Sequence, residues 1–364
     1  MKQKNMKNHN FAVIMAGGVG SRFWPVSTQQ NPKQFQDILG CGETLIQSTF
    51  RRLKRIVPFN QIYILTNAAY KKTVLKQLPE IDERQLVLEP AMRNTAPCIL
   101  LAAMKIFKID PEARMLVAPS DHWIQNMEEF HADMELAFQM AGESDKLVTF
   151  GIKPSMPSTG FGYIQYQPSS EEEIYKVDRF IEKPDFQTAV AFLLTGNYLW
   201  NSGIFVWKAS VILQQFRVYL PVMYLLFSQG EEFYNTEKEQ DFVNSKFEKA
   251  ENISIDYGII EKAAEVYVIP ASFSWNDLGT WGSIQGELPQ DTAGNTVVNS
   301  RFIARNSEGN IVRTTAEKIV FMEGLKDYMV LEDEGVLLIV PKKKEQEIKL
   351  IRQQVMQQYG TQLG

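Results

Sequence analysis

The sequence predicts an α/β fold: a mostly parallel sheet that carries the chemistry, followed by a small C-terminal β domain. Three observations carry this. A short apolar run over residues 11–15, FAVIM, stands directly before a glycine-rich turn, as a buried parallel strand would. Between residues 11 and 150, strand-like and helix-like segments alternate, the pattern of a parallel sheet flanked by helices. From residue 292 the alternation gives way to short strand-like pieces separated by turns. The change of texture divides the chain into residues 1–290 and 291–364.

The first strand runs straight into Gly17, Gly18 and Gly20, and Arg22 and Lys33 follow, with Pro25 and Pro32 between them. Glycines let a backbone turn sharply and approach a ligand, and consecutive free N–H groups make a concave anion site. A glycine cradle with two cations at fixed places reads as a grip on a triphosphate. Two commoner phosphate loops are excluded. Phe23 stands where a dinucleotide fingerprint needs its third glycine, and no Gly-Lys-Ser/Thr ending is present.

Further strands are expected at 62–65, 86–88, 115–117 and 147–150, and helices at 44–56 and 96–107. In such sheets ligands gather beyond the carboxyl ends of the strands. Two segments fall there. Glu89-Pro90-Ala91-Met92-Arg93-Asn94-Thr95 follows one strand, where Asn94 or Thr95, read as residues alone, suits a helix cap first. Pro119-Ser120-Asp121-His122 follows another, where Asp121 suits either a cap or a hard cation such as Mg²⁺. Imidazole is a poor Mg²⁺ ligand, so His122 reads as structural.

Beyond residue 158 come Gly160 and Gly162 in a glycine-aromatic hairpin, Glu182-Lys183-Pro184, and Trp200-Asn201-Ser202-Gly203. Glu182 and Asn201 can meet sugar hydroxyls and Lys183 a phosphate. As residues alone, Glu182 and Lys183 also fit an exposed ion pair worth about 0–1 kcal/mol. Residues 209–250 read as helices with charged outer faces. Ser254-Ile255-Asp256-Tyr257 reads equally as a capped helix start, and Trp275-Asn276-Asp277-Leu278-Gly279-Thr280-Trp281 supplies a second isolated aspartate. Strand-like pieces at 296–299, 310–314, 318–321, 328–331 and 336–340, with turns such as Glu334-Gly335, form the β domain, and a helix over 345–359 ends the chain. The lysines at 342–344 read as solvated surface.

The 364 residues carry 38 Lys+Arg against 43 Asp+Glu, a net charge of −5, which disfavours a general nucleic-acid binder. Two cysteines and three histidines exclude a disulfide framework and a Cys/His zinc cluster. The polar start, residues 1–10, lacks the apolar core of a signal peptide, and no apolar run reaches the roughly 18 residues of a membrane span. A cytoplasmic location without a membrane partner is the expectation.

Taken in order, these motifs resemble the sugar-nucleotide pyrophosphorylases, and the Trp24-Pro25 pair with Pro32-Lys33-Gln34-Phe35 resembles their mannose-1-phosphate guanylyltransferase branch. The resemblance covers nearly the whole chain, with residues 1–10 extra and no room for the isomerase domain that some relatives append. It implies a Rossmann-like nucleotidyltransferase domain and a C-terminal cap like a short left-handed β-helix, often a dimer contact. It implies GTP and mannose 1-phosphate as substrates and Mg²⁺ as cofactor. Arg22 and Lys33 would be catalytic, and Gly17, Gly18, Gly20, Glu89, Arg93, Asn94 and Thr95 would hold the nucleotide. Gly162, Glu182, Lys183 and Asn201 would hold the sugar phosphate, and Asp121 and Asp277 the metal. Another base or hexose phosphate, or a non-catalytic nucleotide-sugar sensor, stays open as an alternative.

Overall fold

The structure, a computed structural model, describes residues 8–169, 172–333 and 335–363. Glu334 of the expected Glu334-Gly335 turn and the first seven residues of the polar start lie outside them. In chain order the strands are β1 (Asn10–Ala16), β2 (Ile62–Asn67), β3 (Leu86–Glu89), β4 (Arg114–Pro119), β5 (Trp123–Ile124), β6 (Leu147–Ile152), β7 (Tyr163–Tyr166) and β8 (Tyr175–Ile181). They continue as β9 (Tyr198–Lys208), β10 (Val266–Pro270), β11 (Trp275–Asn276), β12 (Thr296–Arg305), β13 (Ile311–Glu323), β14 (Tyr328–Asp333) and β15 (Val336–Pro341). The chain divides into two compact units.

The first unit takes in the described residues up to Gly17, Phe50–Ser120 and Ile124–Trp275. Its nine-stranded sheet runs β3-β2-β1-β4-β9-β6-β10-β8-β7. β1 pairs in parallel with both β2 and β4, and β2 with β3, which gives the expected parallel half. The other half is mixed, because β9 enters antiparallel between β4 and β6, and β7 and β8 are antiparallel too. β6 and β10 pair in parallel, so among the nine strands only β8 and β9 run against the others, and the sheet is mostly parallel as expected. Apolar runs report burial, and they carry no direction. Phe11 and Val13 of β1 are buried with Met115 and Val117 of β4, Phe205 and Trp207 of β9, and Val266 and Val268 of β10. Helix Thr95–Ile109 is buried from Ala96 to Ile106, as its apolar character on nearly every face requires.

The second unit takes in Gly18–Thr49, Asp121–Trp123 and the described residues from Asn276 on. The glycine loop therefore belongs to the same unit as residues 291–364. Phe23, Trp24, Val26, Ile38 and Leu39 share one core with Leu278, Trp281, Ile311, Met329, Leu331, Leu338 and Ile348. The strands form one sheet, β12-β13-β14-β15. β13 joins the two pieces expected at 310–314 and 318–321 into one strand, with a register shift in its pairing to β12. Stacked asparagines brace the rungs: Asn310 donates through N and Nδ2 to Asn295 Oδ1 at 3.0 and 2.9 Å, and Asn310 Oδ1 accepts from Tyr328 N at 2.8 Å. Among the described residues no helix is long and apolar enough to cross a membrane.

Candidate active site

In the second unit the glycine loop is closed on itself. Gly18 and Gly20 have φ of 86° and 65°, the left-handed region that glycine tolerates. At Gly20 there is a second reason: a Cβ there would lie 2.7 Å from Lys33 Cβ. Phe23 N donates to Gly20 O at 2.9 Å, opening a short turn, Ser21–Phe23, on which Arg22 is exposed. Gln34 Nε2 donates to Gly18 O at 3.2 Å, and Ser27 Oγ donates to Val19 O. Gly17 ends the first unit and is exposed.

Lys33 is the centre of this loop. Only 3% of its side chain is exposed, and its ammonium lies 5.1 Å from the centre of the Phe23 ring. Lys33 Nζ donates to Asp121 Oδ2 at 3.1 Å, to Asp121 O at 3.3 Å and to Asp277 O at 2.9 Å. One buried cation thus gathers the two aspartates singled out in the sequence. Burial pulls the Asp121 carboxyl upward, but Lys33 and His122 beside it prevail and hold it below the ordinary carboxylate range. Asp277 sits in a constrained turn. Its Oδ1 accepts from Gly279 N at 3.0 Å, and a Cβ at Gly279 would lie 2.5 Å from its Oδ2. The next residue, Leu278, is buried with φ of 46°, an uncommon backbone for a branched side chain. Trp281 then stacks edge-on against Phe23 at 5.3 Å, and Trp281 N donates to the Glu345 carboxylate.

In the first unit the residues expected at the sugar phosphate are also brought together. Gly162 is buried, and a Cβ on it would lie 2.4 Å from Glu182 Oε2, so the carboxylate occupies the space glycine leaves open. Gly162 O accepts from Asn201 N at 2.8 Å. Glu182 and Lys183 form an ion pair at 2.7 Å, with 9% of the glutamate and 57% of the lysine side chain exposed. Lys183 has φ of 46°, and backbone strain of this kind clusters at ligand sites. Phe161 packs against Trp200 at 4.9 Å and Trp275 at 5.4 Å, an aromatic wall beside this group. Asn201 Nδ2 donates to Asp256 Oδ1 at 2.9 Å, which adds to the group an aspartate to which the sequence assigned no chemistry.

The segment expected at the nucleotide spends much of its bonding on its own chain. Asn94, with φ of 62°, caps helix Thr95–Ile109 by accepting from Thr95 N at 3.0 Å. Thr95 Oγ1 accepts from Ile255 N at 2.9 Å, and Arg93 donates to Glu248 O at 3.2 and 2.8 Å. Glu89, at the end of β3, is buried, and burial pushes its carboxyl up to about 8, against a weaker pull from the Cys98 thiol.

Residues 11–294 match the Nucleotidyl transferase family. The chain belongs to that family. This nucleotidyl transferase is 34% identical over 345 residues to the mannose-1-phosphate guanylyltransferases of Escherichia coli and Klebsiella pneumoniae, covering 93% of this chain and 72% of each of theirs. Its fold matches a Thermus thermophilus crystal structure described as a mannose-1-phosphate geranyltransferase, with a TM-score of 0.85 and 28% identity, over 96% of this chain and 99% of that one.

The donor set of this transferase fits Mg²⁺. Lys33 holds Asp121 and Asp277 together, and the lowered Asp121 carboxyl stays ionised. Among the described residues no group of three or more His, Cys, Asp or Glu could hold a metal. Mg²⁺ needs only one or two carboxylates, with phosphate oxygens and water completing its shell.

Proposed function

We propose that this chain transfers the guanylyl group of GTP to α-D-mannose 1-phosphate, giving GDP-mannose and diphosphate. The single observation that carries the chemistry is the gathering of Asp121 and Asp277 on buried Lys33. The relatives named mannose-1-phosphate guanylyltransferase supply the choice of base and sugar.

A phosphate oxygen of mannose 1-phosphate attacks the α-phosphorus in line. The new P–O bond forms as the bond to the diphosphate oxygen breaks, and no protein nucleophile is needed. Gly17, Gly18 and Gly20 let the backbone approach the phosphates, with the base end at Glu89, Arg93, Asn94 and Thr95. Arg22, exposed on its turn, steadies the leaving diphosphate. Lys33 neutralises charge at the α-phosphate. Asp121 and Asp277 hold Mg²⁺, which when bound supplies charge neutralisation and polarisation at phosphorus. Glu182 and Asn201 orient the sugar and Lys183 its phosphate.

Two finer readings go with this. The parallel β12, β13 and β14, braced by Asn295 and Asn310, support a short left-handed β-helix as the C-terminal cap. Exposed Ile303, Ile319, Phe321, Leu337 and Ile339 on that cap support a second copy as the partner that covers them. Product analysis tests the central reading. Purified chain with GTP, mannose 1-phosphate and Mg²⁺ yields GDP-mannose and diphosphate in equal amounts, and removal of Mg²⁺ by chelation stops it. A chain that makes no nucleotide sugar under these conditions contradicts it.

A further inference from the structure

Glu345 lies outside every motif of the sequence, on the short turn Lys342–Glu347 that follows β15. Its half-buried carboxylate faces the start of helix Trp281–Glu287, where Oε1 accepts from Trp281 N and, at 3.4 Å, from Gly282 N. The first N–H groups of a helix have no partner within it. The helix's own cap, Thr280 Oγ1, accepts from the third of them, Ser283 N, at 3.1 Å. The first two lean on the C-terminal segment. The same helix is joined to the Asp277 turn by fixed bonds. Leu278 N donates to Asn276 Oδ1 at 2.8 Å, Gly279 N to Asp277 Oδ1 at 3.0 Å and Thr280 N to Ser283 Oγ at 3.1 Å. A displaced helix start thus displaces Asp277, whose carbonyl receives Lys33 Nζ. It also disturbs Trp281, which supports the Phe23 ring beneath the Lys33 ammonium.

We propose that Glu345 is a positioning residue: by fixing the start of helix Trp281–Glu287 it sets where Asp277 stands relative to Lys33. This rests on the guanylyltransferase reading above, and Glu345 acts through Asp277 without touching a reacting atom. The segment that carries Glu345 is firmly seated. Ile348, Ile351 and Val355 of helix Ile348–Tyr359 share one core with Phe23 and Trp281, and Leu363 O accepts from Trp24 Nε1 at 2.6 Å. Lys342 Nζ donates to Gln285 Oε1 at 3.1 Å, a second tie to the same helix. Burial raises the Glu345 carboxyl above its ordinary value, against the two helix N–H groups and the charges of Arg22 and Lys342. Arg22, proposed at the leaving diphosphate, is thus within electrostatic reach of Glu345. The metal turn, the phosphate cation and the C-terminal segment all bear on one carboxylate.

The test is calorimetric binding of GTP, with and without Mg²⁺, to the full chain, to Glu345→Ala and to Glu345→Gln, followed by steady-state rates with mannose 1-phosphate. Without mannose 1-phosphate no transfer occurs, so binding reports on Asp277 apart from turnover. Alanine removes the acceptor from both helix N–H groups, whereas glutamine keeps an oxygen for them. Glu345→Ala weakens GTP by about fivefold with Mg²⁺ and by less than about twofold without it, the scale of one lost cap. Its kcat falls by about tenfold while the KM for mannose 1-phosphate stays within about twofold, as for a misplaced reacting group. Glu345→Gln recovers both losses to within about threefold of wild type. A cap that served stability alone would lower Tm and leave these values of the folded chain unchanged. An alanine variant that matches wild type in both readouts, one that weakens GTP equally with and without Mg²⁺, or a glutamine variant no better than alanine overturns the role of Glu345. Should Glu345→Ala not fold, Glu345→Asp, whose carboxylate is drawn back by one methylene, decides: a Mg²⁺-dependent loss supports the role and wild-type affinity overturns it. A wild type that binds GTP yet releases no diphosphate with mannose 1-phosphate overturns the guanylyltransferase reading instead.

Discussion

The residues proposed for the phosphates and those proposed for the sugar are built on different plans. In the second unit, one buried cation gathers oxygens from two segments that are 88 and 244 positions away from it in sequence. One ammonium is shared between the Asp121 carboxylate and the carbonyls of Asp121 and Asp277. In the first unit, Gly162, Glu182, Asn201 and Asp256 are held by close packing at a glycine, the bond from Asn201 N to Gly162 O and the bond from Asn201 Nδ2 to Asp256. The difference teaches which damage to expect: changes on the phosphate side strike turnover, and changes on the sugar side strike affinity.

The largest effect belongs to the carboxylates. Asp121→Asn and Asp277→Asn each lower turnover by roughly 10³ and raise the Mg²⁺ requirement, and the double variant is little worse than the poorer single one, since groups that act as a unit are not additive. Rate against Mg²⁺ concentration for the three variants checks this. A single variant with wild-type Mg²⁺ dependence removes its aspartate from the metal and leaves it a turn residue. Arg22→Ala comes next, with a loss of roughly 10²–10³ in turnover and little change in the KM for mannose 1-phosphate, as for removal of one preorganised charge-stabilising donor. Near-normal turnover would make Arg22 ordinary surface.

Lys183→Ala sharpens the comparison from the other side. It raises the KM for mannose 1-phosphate by about tenfold, the worth of one charge-assisted bond, and leaves the KM for GTP nearly unchanged. Equal damage to both substrates would move Lys183 to the nucleotide. The smallest effect is on stability. Burial raises the Glu89 carboxyl from 4.5 to about 8, so the folded chain holds this proton more tightly than the unfolded chain does. Its contribution is fully present below about 4.5 and is lost as pH rises through about 8. Thermal melts should show wild-type Tm declining across that window, more steeply than in Glu89→Gln. Parallel pH profiles for the two proteins would place Glu89 in water.

Much of this was legible in the sequence for identifiable reasons. Gly20 stood out in the sequence, and it is where Lys33 comes too close for a side chain. Asp121 follows β4 by two residues, where an α/β sheet presents its ligands. The convergence of Asp121 with Asp277 was not legible, because no local period links residues so far apart. Nor was the direction of β9, since an apolar run is the same read either way. Asp256 was visible as part of a motif but not as chemistry. Its bond to Asn201 Nδ2 joins residues 55 positions apart, a fact of tertiary structure alone. The packing of the glycine loop with the C-terminal strands was equally hidden, because Phe23 and Trp24 read as loop residues until Met329 and Leu331 are placed against them.

The most direct measurement is a substrate matrix. Each of the four common nucleoside triphosphates is paired with mannose 1-phosphate, glucose 1-phosphate and galactose 1-phosphate, and kcat/KM is read from diphosphate release. GTP with mannose 1-phosphate should lead by about tenfold or more over any pair that changes the base or the sugar, the scale of discrimination that one unpaired polar contact provides. A different leading pair would contradict the assignment of substrates, and a matrix with no diphosphate release in any cell would contradict the transferase itself.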